Sequence, residues 1–165
     1  MTTIKTTANI QLAILEEKHK EVLAAFQLPK EQLQFTSLPL EKLNNPQVEK
    51  TACHVVILLD HEPIGYFVLE EGEKLQRYSS NPHAKLLTSF SLDSKHQGKG
   101  YAKHALQLLP QFVKMNFSNI DEVVLGVNKR NQGAIGLYRR MGFQDNGEEY
   151  LGTKGPQHIF YLKLT

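Results

Sequence analysis

Two segments of this chain carry residue types at spacings that suit chemistry. The first is Ser91-Leu92-Asp93-Ser94-Lys95-His96-Gln97-Gly98-Lys99-Gly100-Tyr101-Ala102. It reads as the end of a strand, a polar turn, and a helix opened by two glycines. Glycine has no Cβ, so its backbone lets a ligand come close. The first amides of a helix have no partner inside it, and the helix dipole adds positive potential there. Together these features make an anion site, usually taken by a phosphate. Lys99 adds a positive charge beside it. The turn is not the G-x-x-x-x-G-K-[ST] phosphate loop. It is not the dinucleotide G-x-G-x-x-G either, because Lys103 stands where the third glycine belongs. On the glycines alone, a tight turn that binds nothing fits equally well.

The second segment runs from Val127 to Phe143. It again reads as strand, polar turn and helix, and it closes on Gly142-Phe143. Asn131 is placed to cap the helix. Tyr138 lies two turns in, on the side of Ala134 and Met141. By spacing alone it is one more aromatic on an apolar stripe.

The elements that position these segments follow from hydrophobic period. Ile10, Leu12 and Ile14 alternate as a short strand, and Glu16–Phe26 reads as a helix stopped by Pro29. Lys30–Asn45 suits one or two short helices, with Pro39 in a first turn. Ala52–Leu59 and Ile64–Leu69 read as strands joined at Asp60–Pro63, Glu71–Pro82 as a polar loop, and Lys85–Asp93 as a strand. Ala102, Ala105, Leu106, Leu109, Phe112 and Val113 form a helical stripe, which Pro110 is expected to kink or end. Glu122–Val127 is a strand of the fully buried kind. Phe143–Leu151 and His158–Leu164 close the order as two more strands. Val55, Ile57, Leu106, Leu109, Leu125 and Leu137 are the expected core.

Composition narrows the function classes. The chain has 165 residues and a formal net charge of +2, which gives no argument for nucleic acid or an anionic membrane. A hydrophobic content of 41% suits one ordinary domain over residues 1–165. The longest apolar runs, Val22–Phe26 and Val55–Leu59, are far too short to span a bilayer. Met1-Thr2-Thr3-Ile4-Lys5 lacks the pattern of a secretory leader. The single cysteine, Cys53, excludes an internal disulfide, and a reducing cytoplasm is the expected setting. The seven histidines show no metal-ligand spacing, so no metal is expected.

The paired segments carry a resemblance. Gln97-Gly98-Lys99-Gly100-Tyr101-Ala102 matches the Q/R-x-x-G-x-G/A signature of the GNAT superfamily of N-acetyltransferases. Asn131 through Ala134, followed by Leu137–Phe143, is similar to that family's second motif. The helix and strand that separate the two agree as well. The resemblance implies an α+β, three-layer fold: a mixed, mostly antiparallel sheet of about seven strands flanked by helices, with two splayed central strands. It implies acetyl-CoA as co-substrate. The pantetheine arm then runs along Phe90, Ser91 and Leu92, the pyrophosphate lies on Gln97, Gly98, Lys99, Gly100, Tyr101 and Ala102, and Asn131 also contacts the cofactor. A backbone N–H near Leu92 stabilises the oxyanion, and Tyr138 protonates the departing thiolate.

The implied acceptor is the primary amine of a small molecule, such as a polyamine, or of a peptide. It is gripped around Gln32, Phe35, Thr36 and Leu38, with the loop 71–82 as a further contributor. Glu70, Glu71 and His83 are the candidates for a general base, and none is singled out. His96 and Cys53 read as a solvated loop histidine and a buried thiol. The expected assembly is a monomer or homodimer. The competing reading is a non-catalytic acyl-CoA-binding regulatory module on the same fold.

Overall fold

Strands whose two faces are both apolar must be covered on both sides. A computed structural model, which describes residues 9–165, shows how this chain does it. The segment Met1–Lys5, read above for a leader, lies outside the described residues. Seven strands form one sheet: β1 (Ile10–Ile14), β2 (Cys53–Leu59), β3 (Glu62–Glu70), β4 (Ala84–Leu92), β5 (Glu122–Asn128), β6 (Gln144–Gly152) and β7 (Gly155–Lys163). Their order across the sheet is β1-β2-β3-β4-β5-β7-β6. Every pair is antiparallel except β4 with β5. The helices are α1 (Lys20–Ala24), α2 (Lys30–Leu33), α3 (Pro39–Leu43), α4 (Glu73–Gln76), α5 (Tyr101–Asn116) and α6 (Gln132–Arg140).

Alternation along β2 and β3 divides the core in two. Val55, Ile57, Phe67 and Leu69 face α5 and α6, where Leu106, Leu109, Val113 and Ile135 join them. Val56, Leu58, Tyr66 and Val68 face the other way and pack on Leu23 and Phe26. The result is the expected three layers of helix, sheet and helix.

Three local expectations change. The helix expected over Glu16–Phe26 is split into a 3₁₀ turn, Glu17–His19, and the short α1. The polar loop after β3 contains α4, a single turn held by buried Leu75. Pro110 does not end α5, which continues to Asn116. A proline inside a helix costs about 3 kcal/mol, but burying one Leu or Val side chain returns about 1.5–3 kcal/mol. Leu106, Leu109 and Val113 are all buried, so packing outweighs the lost backbone bond. Of the six expected core residues, five are buried. Leu137 is half-buried, because it packs on the core and also lines the cleft described below. Among the described residues, no helix is long and apolar enough to cross a membrane.

Leu109 and Leu125 are 1% and 2% exposed, whereas Met115, on the outer side of α5, is 76% exposed. Leu109→Ala and Leu125→Ala are expected to lower stability by about 2–5 kcal/mol each. Met115→Ala should stay within about 0.5 kcal/mol of the parent. Denaturant titration checks the contrast, and similar midpoints for all three would contradict this core.

Candidate active site

The site begins where the sheet fails to close. β4 and β5 pair only at Ala84, Lys85 and Leu86 against Glu122, Val123 and Val124. Beyond those residues the strands part. β4 stays on β3, but its register shifts between Tyr66 and Val68, and Ser89 takes a left-handed φ of 57°. This bulge, with Ser89 and Phe90 opposite Phe67, bends the strand and increases its twist at the splay.

Past the bulge the Asp93 N–H donates to the Ile64 carbonyl at 2.9 Å. Antiparallel alternation then turns Ser91 toward Tyr66 and turns the N–H and C=O of Leu92 away from β3, into the gap. The Leu92 carbonyl accepts from Gln97 Nε2 at 2.8 Å, and its N–H faces the cleft. Ser91 Oγ, also on the cleft wall, is buried without a protein partner. The open wedge measures about 1050 Å³.

The glycine turn forms one end of it. Gly98 and Gly100 have φ of 74° and 83°, a region that favours glycine, and a Cβ built on either would meet no atom within 4 Å. His96 N–H bonds to the Asp93 carbonyl and Gln97 N–H to the Ser94 carbonyl, so the row of free donors starts at Gly98, not at Gln97. Among the described residues, the N–H groups of Gly98 through Lys103 find no protein acceptor. The first α5 amide to do so is His104, to Gly100, at 3.2 Å. This donor row fits a pyrophosphate, and the unpaired edge of β4 fits an extended chain that carries amides.

Gln97 has a different task from its neighbours. Its side-chain amide exchanges two hydrogen bonds with that of Gln32, at 2.9 and 3.0 Å, and so ties the turn to α2. Tyr101 and Ala102 line the cleft, whereas Lys99 is exposed and does not. His96 stands behind the turn, with its ring 6.4 Å from that of Tyr101. Its Nδ1 is buried without a partner, and burial followed by the charge of Lys95 holds its pKa low.

Helix α6 supplies the other wall. Asn131 caps it, with Oδ1 accepting from the Ala134 N–H at 3.3 Å. At the far end Gly142 N–H donates to the Arg139 carbonyl and Phe143 N–H to the Tyr138 carbonyl, at 3.1 and 3.0 Å. This is a Schellman ending, with Gly142 left-handed at φ 96°. It brings the Phe143 ring edge-on to Tyr138 at 5.6 Å, and Phe90 of β4 meets Tyr138 edge-on at 6.4 Å. The Tyr138 ring is thus clamped on two sides. Its hydroxyl has no protein partner among the described residues, and the residue lines the cleft. Burial pushes the phenol pKa well above its ordinary value, so Tyr138 stays protonated.

The opposite end lies across the sheet from α5. Glu70 Oε2 receives Lys42 Nζ at 3.0 Å, Lys74 Nζ at 3.2 Å and Thr88 Oγ1 at 2.5 Å. Burial pushes the Glu70 carboxyl up, but the Thr88 hydrogen bond and the two ammonium charges outweigh it and hold it below the ordinary range. Glu70 is therefore fully engaged and does not line the cleft. Of the other base candidates, Glu71 pairs with Lys85 at 2.8 Å, and His83 is exposed at the closed end of β4. Neither lines the cleft. Burial raises the Cys53 thiol pKa, as befits an inert strand residue.

Gln32, Phe35 and Thr36 line the cleft as expected, and Leu38 does not. The α2 segment roofs the wedge. Arg130 lies over the Phe35 ring at 5.6 Å, and Lys154 Nζ donates to the Leu33 carbonyl at 3.2 Å. Within the loop 71–82, named above as a contributor, Lys74, Arg77 and Tyr78 line the cleft; Lys42 and Lys154 also line it and were missed in the sequence reading. Tyr78 donates to Gln157 Oε1 at 2.8 Å, and both side chains lie against Gly126. A Cβ at Gly126 would stand 2.5 Å from the Tyr78 ring. A lone glycine inside a β-branched strand was the available signal for that close approach.

Comparison with known proteins agrees with this geometry. The model of the acetyltransferase (GNAT) family matches residues 18–143. The uncharacterized N-acetyltransferase YbbJ of Bacillus subtilis (strain 168) is 42% identical over 156 residues, which is 94% of this chain and 98% of that protein. The crystal structure of aminoglycoside acetyltransferase AAC(6')-Ib with coenzyme A superposes with a TM-score of 0.75 at 17% identity, covering 94% of this chain and 95% of that one. The spermidine N-acetyltransferase of Vibrio cholerae with CoA and spermine gives 0.69 at 20% identity, with 94% and 95% covered. At such identities the two structures are alike in fold.

The cradle leads to a test on Gly100. Gly100→Val places a branched side chain in the empty space before the donor row and strains a left-handed backbone. CoA affinity, measured by calorimetry, should fall at least about tenfold, which corresponds to about 1.4 kcal/mol. Lys99→Ala should weaken binding less, because the donors are backbone amides and its own charge is exposed. A folded Gly100→Val protein with parental affinity would remove the phosphate site from this turn.

Proposed function

The chain belongs to the acetyltransferase (GNAT) family and is an enzyme of that acyl-transfer class, and from that premise we propose that it transfers acetyl directly from acetyl-CoA to a primary amine held in the same cleft. The acceptor is a small molecule or a peptide end. The observation that carries this reading is a convergence on one wedge. The free amides of Gly98 to Lys103, the gap-facing N–H of Leu92 and the unpartnered hydroxyl of Tyr138 all open into it. A module that only bound acyl-CoA would have no use for the last of these. A reducing cytoplasm suits the one free thiol, Cys53.

Each group has a definite task in this proposal. The amides from Gly98 onward hold the pyrophosphate, with Asn131 beside them on the cleft wall. Phe90, Ser91 and Leu92 offer the pantetheine arm the strand edge that β5 leaves unpaired. When bound, acetyl-CoA supplies an activated acyl carbon and a thiolate leaving group. The Leu92 N–H donates to the carbonyl oxygen as negative charge develops there, in a site that needs no reorganisation. Tyr138 gives its proton to the departing sulfur and recovers one from solvent, while the acceptor nitrogen loses one as the amide forms. Among the described residues no Asp or Glu lines the cleft, so the acceptor arrives as the neutral amine or yields its proton to water.

Tyr138→Phe keeps the ring between Phe90 and Phe143 and removes only the hydroxyl. Stability and CoA affinity should hold, while the single-turnover rate falls by about 10²–10⁴-fold. Single turnover is the right measurement, since slow product release masks chemistry in kcat. An unchanged rate would return Tyr138 to the core stripe.

The pH profile of the parent provides a further check. Burial raises the Tyr138 pKa above its ordinary value of about 10, so the acid form persists across the working range. Single-turnover rates should climb as the acceptor amine deprotonates and show no fall before about pH 10. At saturating acceptor, so that changes in its affinity do not enter, a decline between pH 7 and 9 would contradict a buried phenol as the acid.

A further inference from the structure

The cleft wall opposite the glycine turn is cationic. Lys42, Lys74 and Arg77 line it, Lys154 enters the cleft beside α2 and the glycine turn, and among the described residues no Asp or Glu lines the cleft. Within hydrogen-bond reach of Glu70 two ammonium groups share one carboxylate oxygen, Lys42 at 3.0 Å and Lys74 at 3.2 Å. Two positive charges against one negative leave this cluster with an excess of +1. Lys42 is only 7% exposed, so water cannot make good the deficit. Burial first, and then the neighbouring Lys74, bring its pKa down to about 8 despite Glu70. Arg77 follows Lys74 by three residues, hence on the same side of the α4 turn. Among the described residues, neither Arg77 nor Lys154 has a carboxylate within ion-pair distance, and Lys154 has only the Leu33 carbonyl.

The three groups of the wall come from α3 and from α4 with the residue that follows it. Glu70 and Thr88, which hold two of them, lie on the sheet face that carries Tyr66 and Val68, opposite α5. They are therefore on the far side of the sheet from the amides that suit the pyrophosphate. From this arrangement, and resting on the acetyltransferase reading above, we infer that the acceptor is a primary amine that also carries an anionic group, a carboxylate or a phosphate, bound by Lys42, Lys74 and Arg77. An entering anion completes the charge of a partly desolvated cluster, where electrostatic attraction exceeds its value in water. A polycation such as spermidine or an aminoglycoside instead adds positive charge to a wall with no acid to receive it, and like charges at close range select against it.

The test measures thiol release from acetyl-CoA with matched pairs of amines, compared at equal concentrations of neutral amine. One pair is 4-aminobutyrate and its amide, and another is O-phosphoethanolamine and ethanolamine. Spermidine and kanamycin complete the panel. The anionic member of at least one pair should lead by about tenfold or more in kcat/KM, as expected for one charge-assisted contact. Which pair shows the larger ratio tells carboxylate from phosphate. Both polycations should rank last, and added salt should narrow the gaps.

Arg77→Gln and Lys74→Gln change exposed or half-exposed side chains and should each cut the lead by about tenfold. Arg77→Glu should reverse the order within the pair, while Lys114→Gln, exposed on α5, should change nothing. Equal rates within both pairs, or spermidine or kanamycin in the lead, would overturn this inference and leave the acetyltransferase reading intact. Tight acetyl-CoA binding with no turnover on any amine would overturn both.

Discussion

Everything in this molecule turns on two strands that stop pairing. A sheet normally satisfies its backbone groups strand by strand, and leaving them open in a covered interior is costly. Here β4 and β5 share three residue pairs and then diverge, although β3 and β7 still pair on their outer edges. The outer strands keep the gap from closing, and the bulge at Ser89 with its left-handed backbone accommodates the bend. The helices that follow each parting strand begin at its open end. That places the amides of α5 and the cap of α6 around one wedge, since both strands run the same way out of their short parallel contact.

The two ends of the wedge offer different kinds of charge. At the glycine turn the donors are peptide amides, fixed in direction and unaffected by protonation. Across the sheet they are ammonium and guanidinium groups, and the buried one among them, Lys42, keeps its charge only at some cost. The buried Lys42–Glu70 pair shows that cost. A buried ion pair is poor evidence of stability, because desolvation consumes much of what attraction returns. Its presence at the cleft is better explained by placement than by stability. Glu70 holds Lys42 and Lys74 in position, and Thr88 fixes Glu70 to β4. Between the two ends stands Tyr138, whose position depends on a helix ending, where Gly142 turns the chain and Phe143 folds back onto its carbonyl and ring.

Much of this was legible in the residues. Period-two and helical stripes located all seven strands and α5 and α6, and the two glycines that open α5 marked its row of free donors by residue type alone. What escaped has physical reasons. The turn of α4 contains one buried apolar residue, Leu75, too little for a period to register. Ser89 gives no sign that its backbone is left-handed, because its conformation is imposed by the register on β3. Glu70 read as a candidate base because its chemistry is local, while two of the groups that occupy it, the Lys42 ammonium and the Thr88 hydroxyl, come from residues far away in sequence. The cationic wall joins Lys42 of α3 to Lys74 of α4 through Glu70, a meeting of separate short helices that no local pattern shows. Even Gln97, correctly placed at the turn, had its task misread: its N–H is taken by Ser94 and its side chain reaches to α2.

That last contact has a consequence for how the two substrates know of each other. The Gln32–Gln97 pair joins the turn at one end of the wedge to the segment that roofs the other. Neither amide titrates and neither carries a charge, so the link is blind to acidity and nearly so to ionic strength. A mechanical tie of this kind works in both directions. By whatever factor a molecule seated at the turn sharpens the grip of the roof, a molecule under the roof sharpens the grip of the turn by the same factor. Any coupling carried by this contact rests on a pair of neutral side chains that touch neither reacting atom.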